Sequence, residues 1–192
     1  AYTYQKNGHS FYVLTFPTDN KTLVYDASIQ DNDMAWSVRE TYGIGRDRAS
    51  CHVFAFSNHL VGDYASGIIY KLSDTTHLDG TLPIAWSRTT AHIISDYKRV
   101  KHKEVVLNFE TGVGTEGGAE PLVYLTYSDD GGATYITGRE VNLSLGVIGQ
   151  RKNRVQTARL GSARDRVYKV YGSAPVKTVL VSGFIDIEVG KT

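Results

Sequence analysis

The sequence predicts an all-β protein, in which a short antiparallel, propeller-blade-like meander precedes a jelly-roll-like β-sandwich. Three observations point to this class. The 192 residues include 19 Val, 18 Thr, 13 Tyr and 11 Ile, which are residue types enriched in strands. Apolar and polar residues alternate in several short segments, as they do in half-buried strands. No segment has a sustained helical periodicity.

The N-terminal part of the chain contains short strand-like segments separated by turn residues. Segment 11–16 is apolar and ends at Pro17, and the polar residues after it lead into segment 22–26, which predicts a hairpin. Short, regularly spaced strands are typical of a propeller blade. The predicted strands of this part are 11–16, 22–26, 34–39, 51–56 and 67–72. The polar segment 73–82 follows, so we place a boundary near residue 80, between domains 1–80 and 81–192.

The predicted strands are longer beyond this boundary. They cover residues 84–94, 103–111, 122–128, 133–141, 156–160, 167–171 and 176–189. The last of them ends in a strict alternation, which predicts that Ile185, Ile187 and Val189 are buried. Asp186 and Glu188 are then expected on the exposed face. About seven strands with alternating faces in one domain favour a β-sandwich.

The composition argues against several classes of function. Cys51 is the only cysteine, so neither an internal disulfide nor a thiolate metal site is expected. The six histidines have no HxH or HExxH spacing, and we expect no metal, no cofactor and no enzymatic activity. No apolar run approaches the length of a membrane-spanning helix. The chain starts without Met, so we expect a fragment or a processed chain.

Charge is distributed unevenly along the chain. Residues 1–97 hold 7 Lys and Arg against 10 Asp and Glu, a net of −3, whereas residues 98–192 hold 14 against 10, a net of +4. A basic cluster of this kind attracts an anionic partner. The alternative is that these cations lie on the solvated faces of ordinary surface strands. The candidate docking cluster consists of Arg151, Lys152, Arg154, Arg159, Arg164 and Arg166.

One motif is local. Residues 128–135 fit Ser-x-Asp-x-Gly-x-Thr-aromatic, the Asp-box pattern of sialidase-like hairpins, with Ser128, Asp130, Gly132, Thr134 and Tyr135 at the defined positions. Gly132 is suited to a positive φ, and a carboxylate at 130 can accept backbone N–H groups across the turn. The motif predicts a turn that stabilises the fold and has no catalytic role. It leaves one alternative function, a carbohydrate-binding β-module, although Trp36 and Trp86 are expected in the core or an interface.

Many segments, taken in order, resemble one family, the packaged-DNA stabilisation proteins of phages, which are tail hub proteins of short-tailed phages. The resemblance begins with 8–17, 22–26 and 36–39, which look like a late propeller blade. It extends over about residues 8–185, with further segments at 62–72, 88–92, 110–114, 127–132, 159–168 and 173–176.

The resemblance implies a structural virion protein, made in the host cytoplasm, with no catalytic residue. This chain would be the C-terminal portion of a protein about twice as long. The complete protein is expected to form a ring, typically hexameric, that closes the portal channel after DNA packaging. Its expected neighbours are an adaptor, a needle and tailspikes, with transient contact to packaged DNA. Two roles for the basic cluster follow: it lines the channel that holds the DNA, or it docks an acidic adaptor or spike surface. We favour docking of a protein, because a conduit must not bind DNA tightly.

Overall fold

A computed structural model of the chain describes residues 1–96, 98–114, 118–135 and 139–190. They belong to two compact units, Ala1–Leu82 and Pro83–Thr192. The larger sheets of both units are antiparallel, and the described helix is a single turn, α1 (Asn32–Ala35). The predicted all-β class is therefore confirmed. No helix among the described residues has the length and hydropathy needed to span a membrane.

The first unit begins with a four-stranded meander in which each strand pairs with the next. Its strands are β1 (Tyr2–Lys6), β2 (His9–Phe16), β3 (Lys21–Asp26) and β4 (Trp36–Val38). Asn7 and Gly8 join β1 to β2, with φ values of 53° and 83°. Two positive φ angles define the hairpin turn that matches strand twist, and Asn-Gly is its preferred sequence. Tyr4, Val13 and Val24 form the small core on one face of this sheet.

The second sheet of this unit has three strands, β5 (Ala49–Ala55), β6 (Asn58–Asp63) and β7 (Ile69–Lys71). A short strand pair, β8 (Leu78–Asp79) and β9 (Leu82–Pro83), follows it. Strand β6 has no counterpart among the predicted strands, because its composition is mostly polar and only Leu60 and Val61 are apolar. The sequence of β6 has little strand preference of its own, and backbone pairing with β5 stabilises it as a strand.

The second unit is built from two antiparallel sheets. In one sheet, β12 (Val100–Phe109) pairs with β18 (Leu180–Val189) along one edge and with β15 (Val155–Ala158) and β16 (Ser162–Ala163) along the other. The other sheet contains β10 (Trp86–Thr89), β11 (Ile93–Ile94), β13 (Leu122–Ser128), β14 (Val141–Ser144) and β17 (Asp165–Gly172). In this sheet β17 lies between β13 and the β10 and β11 segments.

Side chains from both sheets fill the core of the second unit. Strand β12 contributes Val105, Leu107 and Phe109, and the β13 and β17 strands face them with buried aliphatic residues and Tyr168. The core consists of Val105, Leu107, Phe109, Val123, Leu125, Leu143, Leu145, Val155, Leu160, Tyr168 and Val170. Burial of apolar side chains between two sheets is the main stabilising contribution in a sandwich.

The predicted strands of the second unit differ from the observed ones most at segments 84–94 and 133–141. Segment 84–94 forms two strands, β10 and β11, because the pairing with β17 shifts by one residue between Thr89–Lys169 and Ile93–Arg166. Segment 133–141 was predicted as a strand, but residues 133–135 belong to a turn and β14 begins only at Val141. Residues 136–138 of that prediction lie outside the described part of the chain.

The alternation at the end of β18 is only partly followed by burial. Ile185 packs against the core, as predicted, and Asp186 and Glu188 are exposed. Ile187 and Val189 were predicted to be buried but are 39 % and 43 % exposed. They face the same side as Ile185, opposite His102 and Val100 of β12. The alternation therefore identified which side chains share one face of β18. Burial of that face also requires a neighbouring element that covers it.

Candidate functional site

The candidate docking cluster contains five exposed cations. Arg151, Lys152 and Arg154 lie in the loop between β14 and β15, Arg159 directly follows β15, and Arg164 separates β16 from β17. None of the five forms an ion pair with another described residue. No described residue neutralises these charges in an ion pair, so they are available to a partner.

Arg166, the sixth residue of the predicted cluster, is buried, so its prediction as a docking residue is wrong. Only 1 % of the residue is exposed. Its Nε and Nη2 atoms donate to the Asp129 carboxylate at 2.6 and 3.1 Å, and Nη1 donates to the Leu160 carbonyl at 2.5 Å. The guanidinium also lies 4.0 Å from the centroid of the Tyr127 ring. A buried cation needs such partners, and Arg166 is a structural cation of the sandwich.

Asp129 lies between two arginines. Besides Arg166, it accepts a hydrogen bond from Nη1 of Arg139 at 2.7 Å, on the exposed side of the carboxylate. Partial burial by itself would raise the pKa of Asp129, but the hydrogen bonds and charge of Arg166, and then those of Arg139, lower it below its ordinary value. The carboxylate is therefore ionised at neutral pH and compensates the buried guanidinium.

The turn after β13 is held together by its own side chains. The Gly132 N–H donates to Ser128 Oγ at 2.9 Å, and the Ser128 hydroxyl donates to Asp130. Asp130 also accepts the Thr134 N–H at 2.9 Å and the Thr134 hydroxyl at 2.5 Å. These hydrogen bonds, from Ser128 first, lower the pKa of Asp130 to about 2. Gly132 has a φ of 90°, and Tyr135 is half-buried near Lys169.

Replacing Ser128 with alanine should destabilise the second unit by about 1 kcal/mol, the usual net contribution of a buried hydrogen-bonding group. Ser128 is 1 % exposed, and its hydroxyl links the Gly132 amide to Asp130. Urea unfolding followed by fluorescence measures the change. Ser87→Ala, on the exposed side of β10, is the matched control and should change stability by less than about 0.5 kcal/mol. Equal effects of the two substitutions would rule out this role for Ser128.

The two tryptophans differ in environment. Trp86 is half-buried and packs against Phe109 in the sandwich core, with 6.2 Å between ring centroids. Trp36 is 46 % exposed on the short strand β4, where it lies against Tyr25. The polar groups of the Ser128 turn bond to one another. Among the described residues, no three His, Cys, Asp or Glu side chains are grouped as a metal site requires.

Sequence reasoning missed the partner of Arg166. Asp129 and Asp130 are adjacent, and the motif explains only Asp130. Asp129 instead reaches across 37 residues of chain to Arg166. Asp129 could have been noticed in the sequence, since the Asp-box pattern leaves position 129 unspecified. A carboxylate next to a buried strand, with no role in the motif, suggests a positively charged partner.

Comparison with known proteins supplies the family. Two family profiles match, one described as bacteriophage P22 Gp10, beta-propeller, over residues 1–77, and one as bacteriophage P22 Gp10, beta-sandwich, over residues 85–188. A search of curated proteins finds no match. The profiles agree with the blade-like meander and the sandwich predicted from the sequence, so both parts of the fold class are confirmed. The chain therefore belongs to the bacteriophage P22 Gp10 family of phage stabilisation proteins, which are structural components of the virion.

Proposed function

We propose that this chain acts in the phage tail as a hub component, which closes the portal channel over packaged DNA and docks other tail proteins. The observation that carries the docking role is the set of five exposed cations without ion pairs among the described residues. Unpaired surface cations on one protein steer and orient the acidic surface of another. Membership of the phage stabilisation family supports the connection to packaged DNA.

The proposed assembly has several parts. The complete protein would form a ring, hexameric by the family resemblance, between an adaptor on one side and a needle and tailspikes on the other. Contact with DNA would be transient, since a channel that neutralised many phosphates would retain the DNA it must release. We assign no catalytic step and no cofactor to the chain. Its contribution is to hold other virion proteins in place.

Replacing Arg151, Lys152 and Arg154 together with serine should reduce incorporation of the protein into particles by about five-fold, because the electrostatic attraction to an acidic neighbour is lost. The phage that encodes the protein is grown in cells that supply either form. Copies per particle are counted by quantitative immunoblotting, and retained DNA by the density of the particles. Lower incorporation should be accompanied by a larger fraction of empty heads.

The matched control replaces Arg88, Lys98 and Lys101 with serine. These residues are also exposed, form no ion pair among the described residues and carry the same total charge. This control should leave incorporation unchanged. Unchanged incorporation of the first variant, or an equal loss in both, would contradict docking through the 151–154 segment.

A further inference from the structure

The loop between β14 and β15, residues 145–154, contains several internal hydrogen bonds; we call it the tip loop. Its two ends are tied together, since Asn153 Nδ2 donates to the Ser144 carbonyl at 2.7 Å and the Gly146 N–H donates to Ser144 Oγ at 2.9 Å. Within it, the Gln150 N–H donates to the Val147 carbonyl at 3.0 Å, which closes a turn at the tip. The conformation of the tip loop is therefore stabilised by its own hydrogen bonds.

A second segment holds the tip loop from the side. The Gly112 N–H donates to the Leu145 carbonyl at 2.9 Å, and the Gly149 N–H donates back to the Gly112 carbonyl at 3.0 Å. Thr111 Oγ1 donates to the Arg151 carbonyl at 2.9 Å. The approach is so close that a Cβ on Gly112 would lie 2.9 Å from the Gln150 carbonyl carbon. Glycine at this position allows the two backbones to touch, and the contact fixes the tip loop on the sandwich.

The ordered tip loop places an apolar side chain in solvent. Leu145, at its start, is fully buried in the core, but Ile148 is 62 % exposed and Val147 is 39 % exposed. A single exposed aliphatic residue on a mobile loop is ordinary. Here the backbone around Ile148 is fixed by hydrogen bonds on both sides. An apolar group held rigidly in water loses nothing further in backbone entropy when a partner covers it.

The exposed cations of the tip loop lie close to this apolar group in the sequence. Arg151, Lys152 and Arg154 follow Ile148 by three to six residues in the same loop and are all exposed. An apolar centre with a charged rim is the arrangement found in protein interfaces, where a few buried anchors carry most of the binding free energy. Phosphate groups of DNA would be attracted to the cations but would gain nothing from Ile148, so this arrangement favours a protein partner.

We infer that the tip loop is a preformed plug: Ile148 inserts into an apolar pocket on another tail protein, and carboxylates around that pocket pair with Arg151, Lys152 and Arg154. This inference rests on the proposed docking function and adds the apolar anchor, which the charge pattern did not reveal. The cations orient the partner, and Ile148 supplies the part of the affinity that does not depend on salt concentration.

The test uses particles purified from cells that lack this protein. Purified protein is added back, and its binding is measured by co-sedimentation over a range of concentrations at 50 and 300 mM salt. Ile148→Ser should weaken binding about ten-fold at both salt concentrations, the effect expected for loss of an interface anchor. Ile148→Val should bind nearly as well as the original. The matched control is Ile94→Ser on β11, a residue 56 % exposed, which should have no effect.

The outcomes separate the inference from the proposed function. If the triple serine variant of Arg151, Lys152 and Arg154 fails to bind and Ile148→Ser binds normally, docking by charge stands and the plug is refuted. An equal loss in Ile94→Ser also refutes it, because the effect would not be specific to the tip loop. If neither the triple variant nor Ile148→Ser loses binding, both ideas fail. Thermal melting must be unchanged in Ile148→Ser; a large decrease would mean that Ile148 supports folding instead.

Discussion

Replacing Asp129 with alanine is expected to lower the free energy of unfolding of the second unit by about 3 kcal/mol. The substitution leaves the guanidinium of Arg166 buried without its carboxylate, and breaking a buried pair by removing one partner costs about 3–5 kcal/mol. We expect the lower end of this range. Arg166 keeps its hydrogen bond to the Leu160 carbonyl and its contact with the Tyr127 ring.

Urea unfolding of the second unit measures this loss, and Arg139→Ala provides the matched control. Arg139 binds the same carboxylate as Arg166 but from an exposed position. Exposed ion pairs contribute about 0–1 kcal/mol, so this control should cost less than about 1 kcal/mol. The double variant Asp129→Leu, Arg166→Met removes both charges and should be more stable than Asp129→Ala. A cost for Asp129→Ala no larger than that of Arg139→Ala would contradict the assigned role of the buried pair.

Acidification from pH 7 to pH 4.5 is expected to destabilise the second unit through His102, by an amount approaching 3 kcal/mol at the acid end. His102 is 1 % exposed on β12, and neither ring nitrogen has a hydrogen-bond partner among the described residues. Burial first, and then the charge of Arg166, lower the pKa of His102 from its ordinary 6.5 to about 4, while Asp129 acts weakly in the opposite direction.

The direction of the effect follows from the two pKa values. Well above pH 6.5 the imidazole is neutral in both the folded and the unfolded chain, and pH has no effect through this group. Between pH 6.5 and about 4 the unfolded chain binds a proton that the folded chain does not, so stability falls as pH falls. Below about pH 4 the folded protein binds the proton too, and the loss levels off.

The measurement compares urea unfolding of the original protein with that of His102→Leu at pH 7.5, 6.0, 5.0 and 4.5. Only the difference between their pH profiles reports His102, because both proteins share all the other ionisable groups. The original should lose stability relative to the variant across this interval. Parallel profiles would show that the His102 ring is protonated equally in the folded and unfolded chains.

Much of the fold is encoded locally and was accessible from the sequence. Strand β13 was predicted with its observed limits, 122–128, because its apolar and β-branched residues are bounded by turn residues on both sides. Strand β1 was missed, since Tyr2 and Tyr4 alternate with polar residues over only five positions. The Asn7-Gly8 turn was the available signal, and it predicts a hairpin once strands are sought on both sides of it.

Two features of the candidate site could not be predicted from local sequence patterns. A run of cations in the sequence does not reveal which of them is buried, because burial of Arg166 depends on Asp129, which lies 37 residues earlier in the turn after β13. In the same way, Ile148 could be recognised as an exposed apolar residue only after the segment around Gly112 had fixed the tip loop. Both cases depend on contacts between distant parts of the chain. Alternation and composition carry no information about such contacts.

Strand β18 has a practical consequence for work with the isolated chain. It is ten residues long, pairs among the described residues with β12 alone, and exposes Val181, Phe184 and Val189. Its sequence has neither the lysine nor the proline with which many proteins discourage sheet extension at such an edge. The exposed carboxylates of Asp186 and Glu188 oppose pairing with another chain, whereas the exposed apolar side chains favour it. We therefore expect the solubility of the purified chain to depend on β18.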